Sequence, residues 1–387
     1  MDHNFKPLII RGKTLLPVIQ GGMGVGISAQ SLAGTVASEG AVGTIASVDL
    51  RHLHEDLVMP YPQKGGAEEL NRLNMIALDR EVKGALARAN GQGLVSVNVM
   101  KAVDAFPDMI RQACESGAQA VTMGAGLPLE LPDLVKEHPH VALFPILSES
   151  RGIAIVLKRW MKKNVLPDAI VIEHPNHAAG HLGAATVANL GDERFTFSRV
   201  INETRQLFKE LEIESHNIPI IIAGGMSRFS KIQTAFSQWG ADGIQVGTAF
   251  AVTAEGDAHE NFKKVLRDAK EEDIVEFMSV AGLPARGVLT PWLKSYLSRL
   301  EKLQANAKND TRRCVESLNC LTTCGLRDGI SKIGQFCIDK RLAQAWRGET
   351  KEGLFFRGKD PLPFGDQMRT AKETLAYLLM GLKPEGV

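Results

Sequence analysis

The chain has 387 residues, 44% hydrophobic and 23% charged, with 45 Lys+Arg against 44 Asp+Glu. These are ordinary values for a globular protein, and the near-zero net charge offers no electrostatic footprint for nucleic acid or an anionic membrane. No apolar run reaches the roughly 18 residues of a membrane span, the N-terminal MDHNFKPLII lacks a secretory pattern, and five cysteines in so long a chain point to the reducing cytoplasm.

In chain order, short apolar β-branched runs alternate with helical patterns. Leu16–Ile19 precedes Gln20-Gly21-Gly22-Met23, and Val42–Ala46 follows a helix from about Ala29 to Glu39. Leu94–Val99 follows a helical stretch from about Glu68 to Ala89. Ala120–Met123, Val141–Ile146 and Ala169–Glu173 come next, with helices such as Phe106–Glu115 and Gly152–Lys162 between them. Ile218–Ala223, the helical Phe229–Gln238 and Gly243–Val246 complete eight strands. Strands alternating with helices imply a parallel sheet, and eight such units over about 250 residues imply a closed (β/α)8 TIM barrel. An open doubly wound sheet fits the alternation but seldom runs to eight units.

Residues 1–287 are therefore expected to form the barrel, with lid insertions at about 49–90 and 181–197. The first begins as a loop, Asp49–Gln63, with Pro60 and Pro62. Residues 288–387 read as a C-terminal extension packing on the barrel: a polar helix Lys294–Ala307, a cysteine segment, a Gly/Pro-rich stretch (Gly353–Gly365) and a final helix Gln367–Met380. Cys114 is expected in the core and Phe262–Glu272 on a solvated helix face.

Two glycine sets stand at strand ends. GVGISA (Gly24–Ala29) formally matches a dinucleotide fingerprint, but the later pair, Gly224-Gly225 and Gly247-Thr248, favours a mononucleotide bound to a barrel. Backbone N–H groups at two adjacent βα turns suit a phosphate, and barrel phosphate sites often follow strands 7 and 8.

Between them lies Glu173-His174-Pro175-Asn176-His177-Ala178-Ala179-Gly180-His181-Leu182-Gly183, after the sixth strand. Three readings compete: a metal site on His174, His177 and His181, imidazoles hydrogen-bonded at the barrel rim, and a general base. Pro175 and the Ala-Ala-Gly run describe a loop, whereas that ligand spacing wants a helix. An imidazole can take a proton near neutral pH, and small Ala179 and Gly180 leave room for a flat cofactor.

GGM after the first strand, VNVM with Asn98, AAGHLG with His181, AGGM, QVGTAF-x4-E and GLPARGV together resemble the nitronate monooxygenase (2-nitropropane dioxygenase) family. Its relatives include a flavin-dependent enoyl-ACP reductase and an NADH:quinone reductase. The resemblance covers about Leu15 to Val288. It implies FMN, with its phosphate on Gly224, Gly225, Gly247 and Thr248 and its ring near Met23, Asn98 and Gln245. Gly22, Glu173, Ala179 and Gly180 complete the implied cofactor set, and His181 is the implied active-site histidine. The implied reaction is oxidation of alkyl nitronates by O₂ to carbonyl compounds and nitrite. NAD(P)H-dependent reduction of enoyl thioesters or quinones, and an FMN-binding regulatory module, are the alternatives. Expected partners are a small-molecule substrate and O₂, with a homodimer as a possible assembly. There are two departures: Ala178-Ala179-Gly180-His181, where relatives carry AGGH, adds one methyl near the implied flavin, and His174-Pro175, where relatives carry glutamine or glutamate followed by glycine, alters the wall of the substrate pocket.

Cys314, Cys320, Cys324 and Cys337 fall within 24 residues. Four thiolates could hold Zn²⁺ or an iron–sulfur cluster, although the spacing matches neither a zinc ribbon nor a ferredoxin run. The competing reading is reduced thiols packed as small hydrophobes.

Overall fold

The computed structural model describes residues 3–58, 66–314, 316 and 320–383. Pro60 and Pro62, assigned above to a lid loop, lie outside the described residues. The chain opens with an antiparallel hairpin, β1 (Leu8–Ile10) and β2 (Lys13–Leu15). Its turn is Arg11-Gly12, both at positive φ (49° and 76°), as the twist of a two-residue hairpin turn requires. Leu8, Ile10 and Leu15 are buried in one cluster with Ile19, Val42, Phe144 and Val171 of the barrel strands, so the hairpin plugs one end of the barrel.

All eight expected strands form, as β3 (Val18–Gln20), β4 (Val42–Ala46), β5 (Leu94–Met100), β6 (Ala120–Gly124), β7 (Ala142–Leu147), β8 (Ile170–Glu173), β10 (Ile220–Ala223) and β11 (Gly243–Val246). They close into a parallel barrel in the order β10-β11-β3-β4-β5-β6-β7-β8. Continuous burial, such as all five residues of β4 and of β6, is what strands covered on both faces need. Alternation along each strand divides the side chains between an interior cluster and a larger outer layer beneath the helices.

Three more strands stand outside the barrel. β9 (Gly180–His181), β12 (Ile274–Met278) and β13 (Pro284–Val288) form an antiparallel sheet in the order β12-β13-β9. β13 straddles the boundary expected at 287, and Val288 N–H donates to Phe355 O at 2.8 Å. The last helix, Ala371–Met380, buries Leu375, Leu378 and Leu379 in the barrel's outer layer. It starts at Thr370, whose side chain caps the backbone N–H of Glu373 while the Glu373 carboxylate accepts from Thr370 N–H.

Local helix readings shift where caps intervene. The expected Lys294–Ala307 helix is two pieces, Pro291–Leu297 and Leu300–Ala305, the first started earlier by the Thr290 cap and Pro291. Phe229–Gln238 begins as an α-helix over Phe229–Thr234 and widens into a π turn over Ala235–Trp239. Phe262–Glu272 is not only a solvated face: Phe262, Lys263 and Leu266 of helix Glu260–Asp268 are buried, and Lys263 Nζ donates to Ala254 O. Cys114 is in the core, and among the described residues no helix is long and apolar enough to cross a membrane.

Candidate active site

A cavity of 550 Å³ opens at the C-terminal ends of the barrel strands. It gathers every residue named above for cofactor or catalysis: Gly22, Met23, Asn98, Glu173, Ala179, Gly180, His181, Gly224, Gly225, Gln245, Gly247 and Thr248. Its size lies within the roughly 300–1,000 Å³ of small-molecule and cofactor sites.

One end is backbone. Gly224 and Gly225 have φ of 99° and 70°, where only glycine is relaxed. A Cβ on Gly225 would stand 2.6 Å from Lys231 Nζ, and one on Gly22 would stand 2.4 Å from Asn98 Cβ. The cup therefore exists because side chains are absent. Thr248 Oγ1 accepts from Gly358 N–H at 3.4 Å, which brings the C-terminal strap to the rim. Lys231 Nζ, 3.5 Å from Asp360 Oδ2, places a cation beside the same turn.

The other end is side chains. His181 sits on β9, held by β13 in register with Ala285. Its Nε2 lies 3.0 Å from Ser279 Oγ, which accepts from Ala281 N–H at 3.2 Å. Burial pushes the His181 imidazole down to about 4, so it is neutral at pH 7. The Phe356 ring packs edge-on at 5.7 Å. Glu173 also lines the cavity, and burial raises its carboxyl to about 7.

A fully buried guanidinium fixes the loop leading to β9. Arg286 donates to the Pro175 and Ala178 carbonyls and through Nε to Glu276 at 2.9 Å. The two earlier histidines play other parts: His174 Nδ1 accepts from Asn176 N–H at 3.2 Å, and the His174 and His177 rings meet at 4.7 Å. Burial lowers both to about 4, aided for each by the nearby Lys231. The three histidines do not converge as metal ligands.

Among the described residues, no three of Cys314, Cys320, Cys324 and Cys337 bring their thiols within 4.8 Å of one another, so the structure does not show the expected Zn²⁺ or iron–sulfur ligand set. Cys324 precedes helix Gly325–Asp328, Cys337 precedes helix Ile338–Trp346, and Cys320 and Cys324 pack in the apolar core of the tail. Burial pushes the Cys337 thiol up to about 12 and raises those of Cys320 and Cys324, which keeps them protonated.

A family model described as nitronate monooxygenase matches residues 7–361. The chain belongs to the nitronate monooxygenase family. It is 25% identical over 287 residues to a probable nitronate monooxygenase of Bacillus subtilis, covering 72% of this chain and 78% of that one. It is 26% identical over 289 residues to a probable nitronate monooxygenase of Staphylococcus saprophyticus, covering 70% and 75%. Among solved structures, FabK from Thermotoga maritima superposes with a TM-score of 0.58 at 20% identity, over 94% of this chain and 91% of that one. A nitroalkane oxidase from Streptomyces ansochromogenes gives 0.61 at 18% identity, over 94% and 96%. These two likenesses bear on the fold. Family membership makes this nitronate monooxygenase relative a flavin-dependent oxidoreductase of nitronate and nitroalkane chemistry.

Several supporting residues of this family member escaped the sequence reading. Ser279 and Phe356 lie 98 and 175 positions beyond His181, and no periodicity joins them to it. Arg286 was visible within GLPARGV, but not as the clamp on residues 175–178. Asp257 accepts from the backbone N–H groups of Ala29, Ser31 and Leu32, so the helix after β3 is capped from more than 200 residues away.

Proposed function

We propose that this chain holds FMN in the cavity and oxidises alkyl nitronates, or the parent nitroalkanes, with O₂ to carbonyl compounds and nitrite. The observation that carries the reading is a single cavity with a side-chain-free cup at Gly224, Gly225 and Gly247 and a half-buried, neutral His181 lining it. The cup fits the group: a Cβ at Gly22 would collide with Asn98, Gly224 and Gly225 hold positive φ that a side chain would strain, and free backbone at that pair suits a phosphate. Gly224, Gly225, Gly247 and Thr248 would hold the phosphate, and Met23, Asn98 and Gln245 would flank the ring. Bound there, FMN would supply electron transfer between substrate and O₂.

The chain's own residues supply orientation and proton handling. With Nε2–H donating to Ser279, the other His181 nitrogen keeps a lone pair and can take the α-proton of a neutral nitroalkane. With Ser279 donating to Nε2, that other nitrogen carries the proton and can position a nitronate anion. Phe356 and the apolar wall exclude water from this end, which strengthens either contact.

Purified protein should be yellow, release FMN on denaturation and form nitrite from ethyl or propyl nitronate in air. Anaerobic NADPH should leave the oxidised flavin spectrum in place. Rapid bleaching by NADPH, with no turnover of nitronates, would replace this reading by a reductase of enoyl thioesters or quinones. A colourless protein that cannot be reconstituted would sink both.

A further inference from the structure

A second cluster of titratable groups borders the same cavity and plays no part in the chemistry above. Asp49 follows β4 with φ 48°, His52 lies in the turn Leu50–Leu53, and Asp339 is the second residue of helix Ile338–Trp346 in the tail. One ligand atom from each lies within 4.8 Å of the other two, and all three residues are buried. We propose that Asp49, His52 and Asp339 form a binding site for a divalent metal ion of the zinc–manganese–iron class.

Asp339 points to the ligand. It is 3% exposed, and neither carboxylate oxygen has a hydrogen-bond partner. Its nearest cationic group, His52 Nε2, stands 4.0 Å away. A buried carboxylate without partners is costly and must hold a proton or a cation. Asp49, facing it, is already engaged, with Arg51 Nε at 2.8 Å and His52 Nε2 at 2.9 Å. A carboxylate offers about four lone-pair sites, so Asp49 can keep Arg51 and still bind an ion. Glu316 Oε1, 3.8 Å from His52, adds a further acidic group at the edge.

Protonation shows how the cluster manages without a metal. Burial and the facing Asp49 raise the Asp339 carboxyl to about 7. Against burial, Asp49 and Asp339 raise His52 to about 10. A divalent ion would displace the His52 proton and satisfy both carboxylates, so binding should release protons. Two carboxylate oxygens and an imidazole nitrogen suit Zn²⁺, Mn²⁺ or Fe²⁺, whereas Ca²⁺ and Mg²⁺ prefer oxygen alone. Donors this close reach the roughly 2.0–2.2 Å of zinc bonds by small side-chain rotations. Asp49 and Asp339 also line the cavity, so an open coordination position would face it, and the ion would tie the β4 loop to the tail.

The test uses the full chain, reduced and stripped with a chelator, titrated with Zn²⁺ and with Mn²⁺ by calorimetry in buffers of different ionisation enthalpy. We expect one equivalent per chain with proton release, and D339N and H52Q to weaken binding on the order of 100-fold or more. Circular dichroism checks that each variant is folded, and the wild-type stoichiometry stands even if one is not. The C314S/C337S double variant should keep its equivalent. Absence of binding to wild type, or unchanged affinity in folded D339N and H52Q, overturns the inference. So does loss of the metal in the cysteine variant with retention in D339N, which would return the ion to the thiols.

Discussion

The two ends of the cavity are built by opposite means. The glycine end comes from two adjacent βα turns, after β10 and β11, and its working surface is backbone. The His181 end comes from β9, β12, β13 and the tail, and its working surface is side chains fixed by Ser279, Arg286 and Phe356. The first is a local property of a short stretch. The second exists only after segments more than 90 residues apart have met. A cofactor cup can thus persist among relatives while the substrate wall is rebuilt by loops and tail.

That contrast breaks most sharply at His181. His181→Ala should retain FMN yet lose about 10²–10⁴ in turnover of neutral nitroalkanes, measured as nitrite release; full activity would remove the base assignment. The pH profile sharpens the same point. Because burial disfavours the charged imidazole, the base form is present above about 4 and is lost as pH falls through that value. Turnover of neutral nitroalkanes should therefore stay flat from about pH 8 to 5 and drop below, with a break near 6.5 counting against a desolvated base.

Arg286→Met tests whether the His181 end depends on distant packing. It strands the buried Pro175 and Ala178 carbonyls, while Glu276 keeps Lys359 at 2.7 Å, so the expected loss is about 2–4 kcal/mol by urea denaturation. A loss under about 1 kcal/mol would show that the clamp is dispensable. At the other end, Gly225→Val should weaken FMN by about 1–3 kcal/mol, roughly tenfold to a hundredfold, from crowding and its positive φ. Nitronate chemistry per bound flavin should persist. Thr248→Ala should be milder, about 0.5–1.5 kcal/mol in FMN affinity, read by fluorescence titration against riboflavin. Equal loss for riboflavin would show that the hydroxyl does not serve the phosphate.

How much could be read in advance follows the same division. The eight strands were legible because each is a short buried run bounded by turn residues, such as Ile220–Ala223 ahead of Gly224-Gly225. The hairpin β1–β2 was missed although Arg11-Gly12 carries a turn signal, because each strand is only three residues long. The cysteines are legible only as a group. Their closeness in sequence suggested one ligand set, and among the described residues the structure brings no three of their thiols within 4.8 Å of one another. The cluster of Asp49, His52 and Asp339 left no signature, since Asp339 joins the others only through the fold.

The sequence by itself determined the barrel, the glycine cup and the candidate histidine. Periodicity, turn chemistry and short-range spacing are local, and they survive without knowledge of what packs where. Only the tertiary structure decided that His181 is half-buried and neutral, which groups hold it, and where two carboxylates and an imidazole meet beside the cavity. Burial and long-range contact set those properties, because a charge or a lone pair takes its energy from the groups around it rather than from its neighbours in the chain.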